Sequence, residues 1–346
     1  MSPSETTVLV TGASGFIAQH VIVELLTAGY RVRGTLRSLA KADAVRGVIA
    51  AHVAPGDRLS FVAAELTKDD GWREAVRGCR FVLHVASPLP TAPPKDPDEL
   101  IVPARDGALR VLTAAAAERV ERVVMTSSIA AVLYGHPRDG SKVYDERDWS
   151  ILGPEVGAYE RSKTLAERAA WEFAAKHPEL ELVTVNPGLV LGPLLGPEAS
   201  TSGEVVRKFL ARELPGSPDV AFAVIDVRDV ARAHLAAMTT KAAAGERFCV
   251  ALEQAHMLDI ARVLDRELGP RGFKIATRRV PGFLLKVVGL WDKTARLAVQ
   301  ELGKRQDVSI AKARDVLGWA PQHALADMVV AMANTMVEHG VVRAPT

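Results

Sequence analysis

The sequence runs to 346 residues, 48% hydrophobic and 24% charged, an ordinary soluble composition with room for one large domain or two modest ones. Its 43 basic and 41 acidic side chains leave a formal charge of +2, which argues against a nucleic-acid surface or a polybasic membrane contact. Cys79 and Cys249 stand far apart without metal or redox spacing, and neither a basic N-terminal region nor a membrane-length apolar run is present, so no metal site is expected and a reducing, cytoplasmic setting is.

Residues 7–10 form a β-branched apolar run, the pattern of a strand buried on both faces of a parallel sheet. A turn containing Gly12 and Gly15 follows, then a helical pattern through Ile17, Val21, Ile22, Leu25 and Leu26. Gly12 permits the tight turn, Gly15 lets the backbone approach a pyrophosphate, and the small Ala18 allows close helix–strand packing. The helix N-terminus then offers free N–H groups to the phosphates. A second strand over residues 31–36 ends at Arg37. No acid lies between Tyr30 and Lys41 to bind a ribose 2′-hydroxyl, whereas Arg37 and Lys41, one helical turn apart, suit a 2′-phosphate. NADP(H) is therefore the expected cofactor.

Further strands are expected over residues 59–66, 81–87, 121–128 and 181–190, with helices over about 100–118 and over 158–176 between them. This alternation predicts an α/β fold, a Rossmann doubly wound parallel sheet with helices on both faces. His84, alone in an apolar strand, reads as a core residue. The loop 88–98 and the irregular stretch 132–157 fall at the carboxyl edge of the sheet, where ligands bind in such folds. Residues 1–190 form the NADP-binding domain, to which strands from within 221–251 return. Residues 191–346 form a smaller C-terminal substrate-binding region interleaved with the first, in which 280–291 is a short apolar helix packed over a pocket.

Tyr159 and Lys163 are four apart on a helix and share a face. A phenol of ordinary pKa, about 10, exchanges protons poorly at neutral pH, and a neighbouring ammonium draws it down. Lys163 also suits the nicotinamide ribose hydroxyls, and Ser128, at the end of the strand over 121–128, suits a hydrogen bond to a substrate carbonyl oxygen.

These residues, together with His84 to Pro88, Val124 to Ser128, Val143 to Trp149, Tyr159 to Trp171, Asn186 to Pro193 and Asp226 to Ala231, carry a resemblance. The sequence resembles the extended short-chain dehydrogenase/reductases, in the dihydroflavonol reductase/cinnamoyl-CoA reductase-like branch that includes microbial aldehyde and ketone reductases. The resemblance spans nearly the whole chain and is weakest over residues 270–310. It implies that Ser128, Tyr159 and Lys163 are catalytic. It assigns Gly12, Gly15, Phe16 and Ile17 to the pyrophosphate turn, Arg37 and Lys41 to the 2′-phosphate, and Glu65 and Leu66 to the adenine. Ala86, Ser87 and Thr126 then form the wall beside the cofactor, and Pro187, Gly188, Leu189 and Val190 the nicotinamide shelf. Pro88, Leu133 and Tyr159 face the substrate.

Three positions depart from the family pattern. Glu65 replaces an Asp, Leu133 replaces the Asn of plant flavonoid reductases, and Glu155 to Tyr159 replaces the Asn-Trp-Tyr-Cys-Tyr-type segment of cinnamoyl-CoA reductases. Neither plant substrate is therefore implied. The expected activity is NADPH-dependent reduction of a small aldehyde or ketone by a monomer or homodimer. The alternatives are an NAD-dependent nucleotide-sugar epimerase or dehydratase, against which Arg37 argues, and a non-catalytic dinucleotide sensor, against which the intact Ser128, Tyr159 and Lys163 argue.

Overall fold

The computed structural model describes residues 2–88, 94, 96–198, 201–252, 254–288, 290 and 298–345. Parts of two expected segments, residues 89–93 and 95 of loop 88–98 and 289 and 291 of the apolar segment 280–291, lie outside the described residues, as do residues 199–200.

The chain opens with β1 (Thr7–Val10), α1 (Phe16–Thr27), β2 (Arg31–Leu36), α2 (Ala42–Ala50), β3 (Leu59–Ala63), α3 (Trp72–Val76) and β4 (Phe81–His84). It continues through α4 (Asp98–Ala117), β5 (Arg122–Thr126), α5 (Ala158–Lys176), β6 (Glu181–Pro187), β7 (Leu189–Leu191), α6 (Glu204–Leu210), β8 (Ala221–Asp226) and α7 (Val227–Thr239). After β9 (Arg247–Val250) and β10 (Gln254–His256) come α8 (Met257–Leu268), α9 (Gly282–Val288), α10 (Ala311–Leu317) and α11 (Leu325–Glu338).

Seven strands form a parallel sheet in the order β3-β2-β1-β4-β5-β6-β9. The strand order reverses between β1 and β4, and the crevice at such a switch point is where doubly wound sheets bind ligands. β1, β4 and β5 are almost entirely buried, as their apolar runs require. α1 and α7 cover one face over a core that includes Val10, Ile22, Val124 and Phe248, and α4 and α5 cover the other over Leu9, Val82, Leu112 and Leu182. The expected Rossmann architecture is present.

The strand expected over 181–190 is two strands in two sheets. β6 pairs with β9 as far as Pro187, and after Gly188 the chain enters a second sheet of order β10-β8-β7. A Cβ on Gly188 would lie 2.2 Å from the Ala223 carbonyl oxygen, so only glycine lets the chain cross here. Residues 221–226 accordingly belong to this second sheet and not to the main one, whereas 247–250 do return to it. The second sheet packs with α6, α8 and α11 around Phe209, Val224, Leu264 and Met332.

The segment 280–291 also differs from expectation. It contains the helix α9, but Phe283 is 64% and Val287 48% exposed, and neither lines the ligand cleft. Among the described residues no helix is long and apolar enough to cross a membrane.

Candidate active site

A cleft of about 760 Å³ runs across the carboxyl edge of the main sheet. Its first wall is the turn between β1 and α1. Gly12 has φ +69° and its N–H donates to the Thr35 hydroxyl at 2.9 Å, which ties the turn to β2. A Cβ there would stand 3.0 Å from the Ala86 Cβ, so a side chain would close the cradle. No side chain caps α1 at Gly15, and the first-turn N–H groups stay available to an anion. Gly12, Gly15, Phe16, Ile17, Ala86 and Ser87 all line the cleft. His84 is the core residue expected: it lies 2.9 Å from the Thr11 hydroxyl, which also accepts from the Ala86 N–H at 2.9 Å. Burial and the Lys163 charge push its pKa down to about 3, so it stays neutral.

Arg37 is exposed at the end of β2 and lines the far end of the cleft with Glu65 and Leu66. Lys41 does not. Its ammonium bonds Glu198 at 2.9 Å, an acid brought from the second half of the chain, and Lys41 is not among the cleft residues. The expected Arg37–Lys41 pair is thus reduced to Arg37. The Glu65 carboxylate bonds Lys68 at 3.0 Å, and Lys68 and Thr67 hold its pKa below the ordinary value. These walls fit an anionic dinucleotide, with backbone donors at its centre and one guanidinium at its end.

At the other end, Ser128, Tyr159 and Lys163 meet in the same cleft, with Thr126, Pro187, Gly188, Leu189 and Val190 as its floor. Ser128 lies two residues past β5, which ends at Thr126, and caps the short turn Ile129–Ala131, accepting from the Ala130 N–H at 3.1 Å. Thr126 is already bonded to His234 at 2.7 Å, so it serves as wall. Tyr159 and Lys163 sit one turn apart on α5. Burial pushes the Lys163 pKa down to about 8, opposed by the Glu167 carboxylate. The expected lowering of the Tyr159 pKa by Lys163 is absent: burial raises it, against the pull of the Ser128 hydroxyl. The phenol therefore holds its proton at neutral pH.

Glu167 was not anticipated, although its place four residues after Lys163 on one helix face was visible in the spacing. The carboxylate is fully buried and accepts from Ser127 at 2.5 Å, Arg247 at 2.6 Å, Asn186 at 2.7 Å and Thr184 at 3.1 Å. Asn186 also donates to the Ser128 carbonyl at 3.1 Å. One carboxylate on α5 thereby locks the ends of β5 and β6 to the helix that carries Tyr159 and Lys163.

On the substrate side Pro88 lines the cleft as expected, but Leu133 does not. Leu133 is fully buried with Ile129, Val132 and Tyr144, because the turn after Ser128 points it into the core. Any substrate preference argued from Leu133 falls with it. Its neighbour Tyr134 faces the cleft instead, joined by Phe222, Gln306, Thr201 and Ser202 from distant parts of the chain. Among the described residues no group of three or more His, Cys, Asp or Glu side chains is arranged to hold a metal ion.

Comparison with known proteins finds relatives of the same architecture. Residues 8–251 match the NAD dependent epimerase/dehydratase family. A cinnamoyl-CoA reductase of Medicago truncatula is 40% identical over 269 residues, which cover 76% of this chain and 81% of that protein. Cinnamoyl-CoA reductase 1 of Arabidopsis thaliana is 38% identical over 267 residues, covering 76% and 75%. Among solved structures, yeast methylglyoxal/isovaleraldehyde reductase Gre2 complexed with NADPH superposes with a TM-score of 0.80 at 28% identity, over 97% of this chain and 99% of that one.

Proposed function

The chain belongs to the NAD dependent epimerase/dehydratase family, the extended short-chain dehydrogenase/reductases, and from that premise we propose that it is an NADPH-dependent carbonyl reductase converting a small aldehyde or ketone to the alcohol. The observation that carries this reading is the cleft itself, with Ser128, Tyr159 and Lys163 at one end and Arg37 at the other. The NADPH complex of the similar yeast reductase supports the choice of cofactor.

Bound NADPH supplies the hydride that adds to the carbonyl carbon. Gly12, Gly15, Phe16 and Ile17 hold the pyrophosphate through backbone N–H groups, and Arg37 takes the 2′-phosphate. Glu65 and Leu66 border the adenine, while Ala86, Ser87, Thr126 and Pro187 to Val190 enclose the nicotinamide end. Lys163 holds the ribose hydroxyls. The Ser128 hydroxyl polarises the substrate carbonyl, and Tyr159 delivers its proton to the oxygen as negative charge develops there. The raised Tyr159 pKa keeps the phenol in the acid form that reduction requires. Pro88 and Tyr159 contact the substrate. The small-molecule substrate and buried free Cys79 and Cys249 fit a cytoplasmic protein, monomeric or homodimeric.

The family also contains epimerases and dehydratases, which recycle a tightly held NAD. Arg37 at the end of β2, with no acid between Tyr30 and Lys41, disfavours NAD here. NADPH oxidation against aldehydes, aryl ketones, 3-oxo esters and a cinnamoyl-CoA thioester tests the proposal. Turnover of the aldehydes or ketones is expected. Copurified NAD with no NADPH oxidation by any of them would overturn it, and turnover of the thioester alone would move the chain to the activity its plant relatives are named for.

A further inference from the structure

Two residues on the substrate side of the cleft come from far apart in the chain and meet there. Tyr134 follows the Ser128 turn, and Gln306 precedes α10. Gln306 is only 5% exposed, and its backbone N–H is anchored on Gln254 Oε1 at 2.6 Å. Its side-chain Oε1 accepts from the Ala223 N–H at 3.1 Å. A backbone N–H only donates, so this bond sets the orientation of the amide, and Nε2 must be the atom that faces Tyr134. Nε2 donates to the Tyr134 hydroxyl at 3.3 Å. The phenol oxygen is the acceptor in that bond, so its own proton is not committed to it. No acceptor takes that proton among the described residues.

The ring is held from behind. The Arg138 guanidinium stacks 4.4 Å from its centroid and is itself clamped by Glu301 through two bonds of 2.7 Å. Arg138 therefore has no free charge to offer a ligand, and the negative charges of Glu301 and Glu160 act on the same phenol through space. Burial and those carboxylates keep the phenol protonated. The same cleft is lined by the apolar Ile129, Ala130 and Phe222 and by the Thr201 and Ser202 hydroxyls, none of which bonds the Tyr134 hydroxyl.

We propose that Tyr134, oriented by Gln306, is a specificity-determining residue that donates its hydroxyl proton to a neutral second oxygen of the substrate, one carried by an ester, an amide or a second ketone. An alkyl carbonyl with no such oxygen leaves the donor unpaired in the closed site, which costs binding. A carboxylate at that place meets two acids and a guanidinium that is already paired. This inference rests on the carbonyl-reductase reading of the cleft.

Ethyl 3-oxobutanoate and 2-heptanone, which have chains of equal length, form the test pair, with free 3-oxobutanoate as a third substrate. The readout is the ratio of kcat/KM for ester over ketone. Tyr134→Phe keeps the ring on Arg138, removes the donor and lowers that ratio about tenfold. Gln306→Glu presents an acceptor that engages the Tyr134 hydroxyl in a hydrogen bond and so withdraws it from the substrate, lowering the same ratio with the phenol ring and hydroxyl in place. An unchanged ratio in either variant, or a free acid reduced better than its ester, overturns the inference. Absence of NADPH oxidation with all three substrates overturns the carbonyl-reductase reading and this inference with it.

Discussion

The two ends of the cleft are assembled differently. At the cofactor end, most of the lining residues follow β1, β2, β3, β4, β5 and β6 of one parallel sheet, and one buried carboxylate, Glu167, ties two of those strand ends to α5. At the substrate end, the lining comes from Tyr134, Thr201, Ser202, Phe222 and Gln306, held by single side-chain bonds such as Gln306 to Tyr134 at 3.3 Å. The first end is set by backbone geometry and a shared charge, so it admits little change. The second is set by individual side chains drawn from separate segments, only Phe222 among them on the second sheet, so substrate choice is expected to change there with less effect on cofactor binding.

The strongest way to break this comparison is at the junction of the two ends. Tyr159→Phe keeps the ring packing and removes the proposed proton donor, so kcat is expected to fall by roughly 10²- to 10⁴-fold with NADPH affinity little changed. Fluorescence titration of NADPH beside steady-state rates checks both halves, and near-normal turnover would assign the proton to another group. If Glu167 is the tie that holds the cofactor end, Glu167→Ala leaves Arg247 buried without its counter-charge and should lower unfolding stability by about 3–5 kcal/mol. Urea denaturation reads this directly, and a loss under 1 kcal/mol would remove the tie.

Arg37 sharpens the comparison from the far side of the cofactor end. Arg37→Ala should weaken NADPH binding by about 1–3 kcal/mol and leave NADH binding nearly unchanged, as parallel titrations would show. Unmodified protein that prefers NADH would defeat the 2′-phosphate assignment. A pH profile probes Lys163, whose burial lowers its pKa to about 8. The ammonium is charged below that value and neutral above it, so kcat/KM for NADPH should be flat below about pH 8 and fall about tenfold per unit above it. The contribution of this group to fold stability moves the other way, since the unfolded chain keeps the proton up to the ordinary lysine value and stability rises with pH between the two. The smallest effect belongs to Lys41. Its exposed pair with Glu198 is worth little, and Lys41→Ala should change NADPH affinity less than about threefold.

Much of this was legible in the chain itself. The β-branched run of β1, the Gly12 turn, the span of α5 and the one-turn spacing of Tyr159, Lys163 and Glu167 are local patterns. Backbone sterics and helix periodicity act within a few residues, so local sequence determined them, and the order of strands and helices followed. Tertiary structure decided the rest. Lys41 met Glu198 and Tyr134 met Gln306 across separations of 157 and 172 residues, which no periodicity encodes. Leu133, expected at the substrate, lies in the core and Tyr134 lines the cleft instead, because the turn after Ser128 sets which of two neighbours faces the core. The run 181–190 reads as one strand, yet it divides at Gly188 because the Ala223 carbonyl leaves no space for a Cβ there, and that carbonyl arrives from β8. The sign of the Tyr159 pKa shift likewise depends on how deeply the phenol is buried, a property of the whole cleft and not of the helix that carries it.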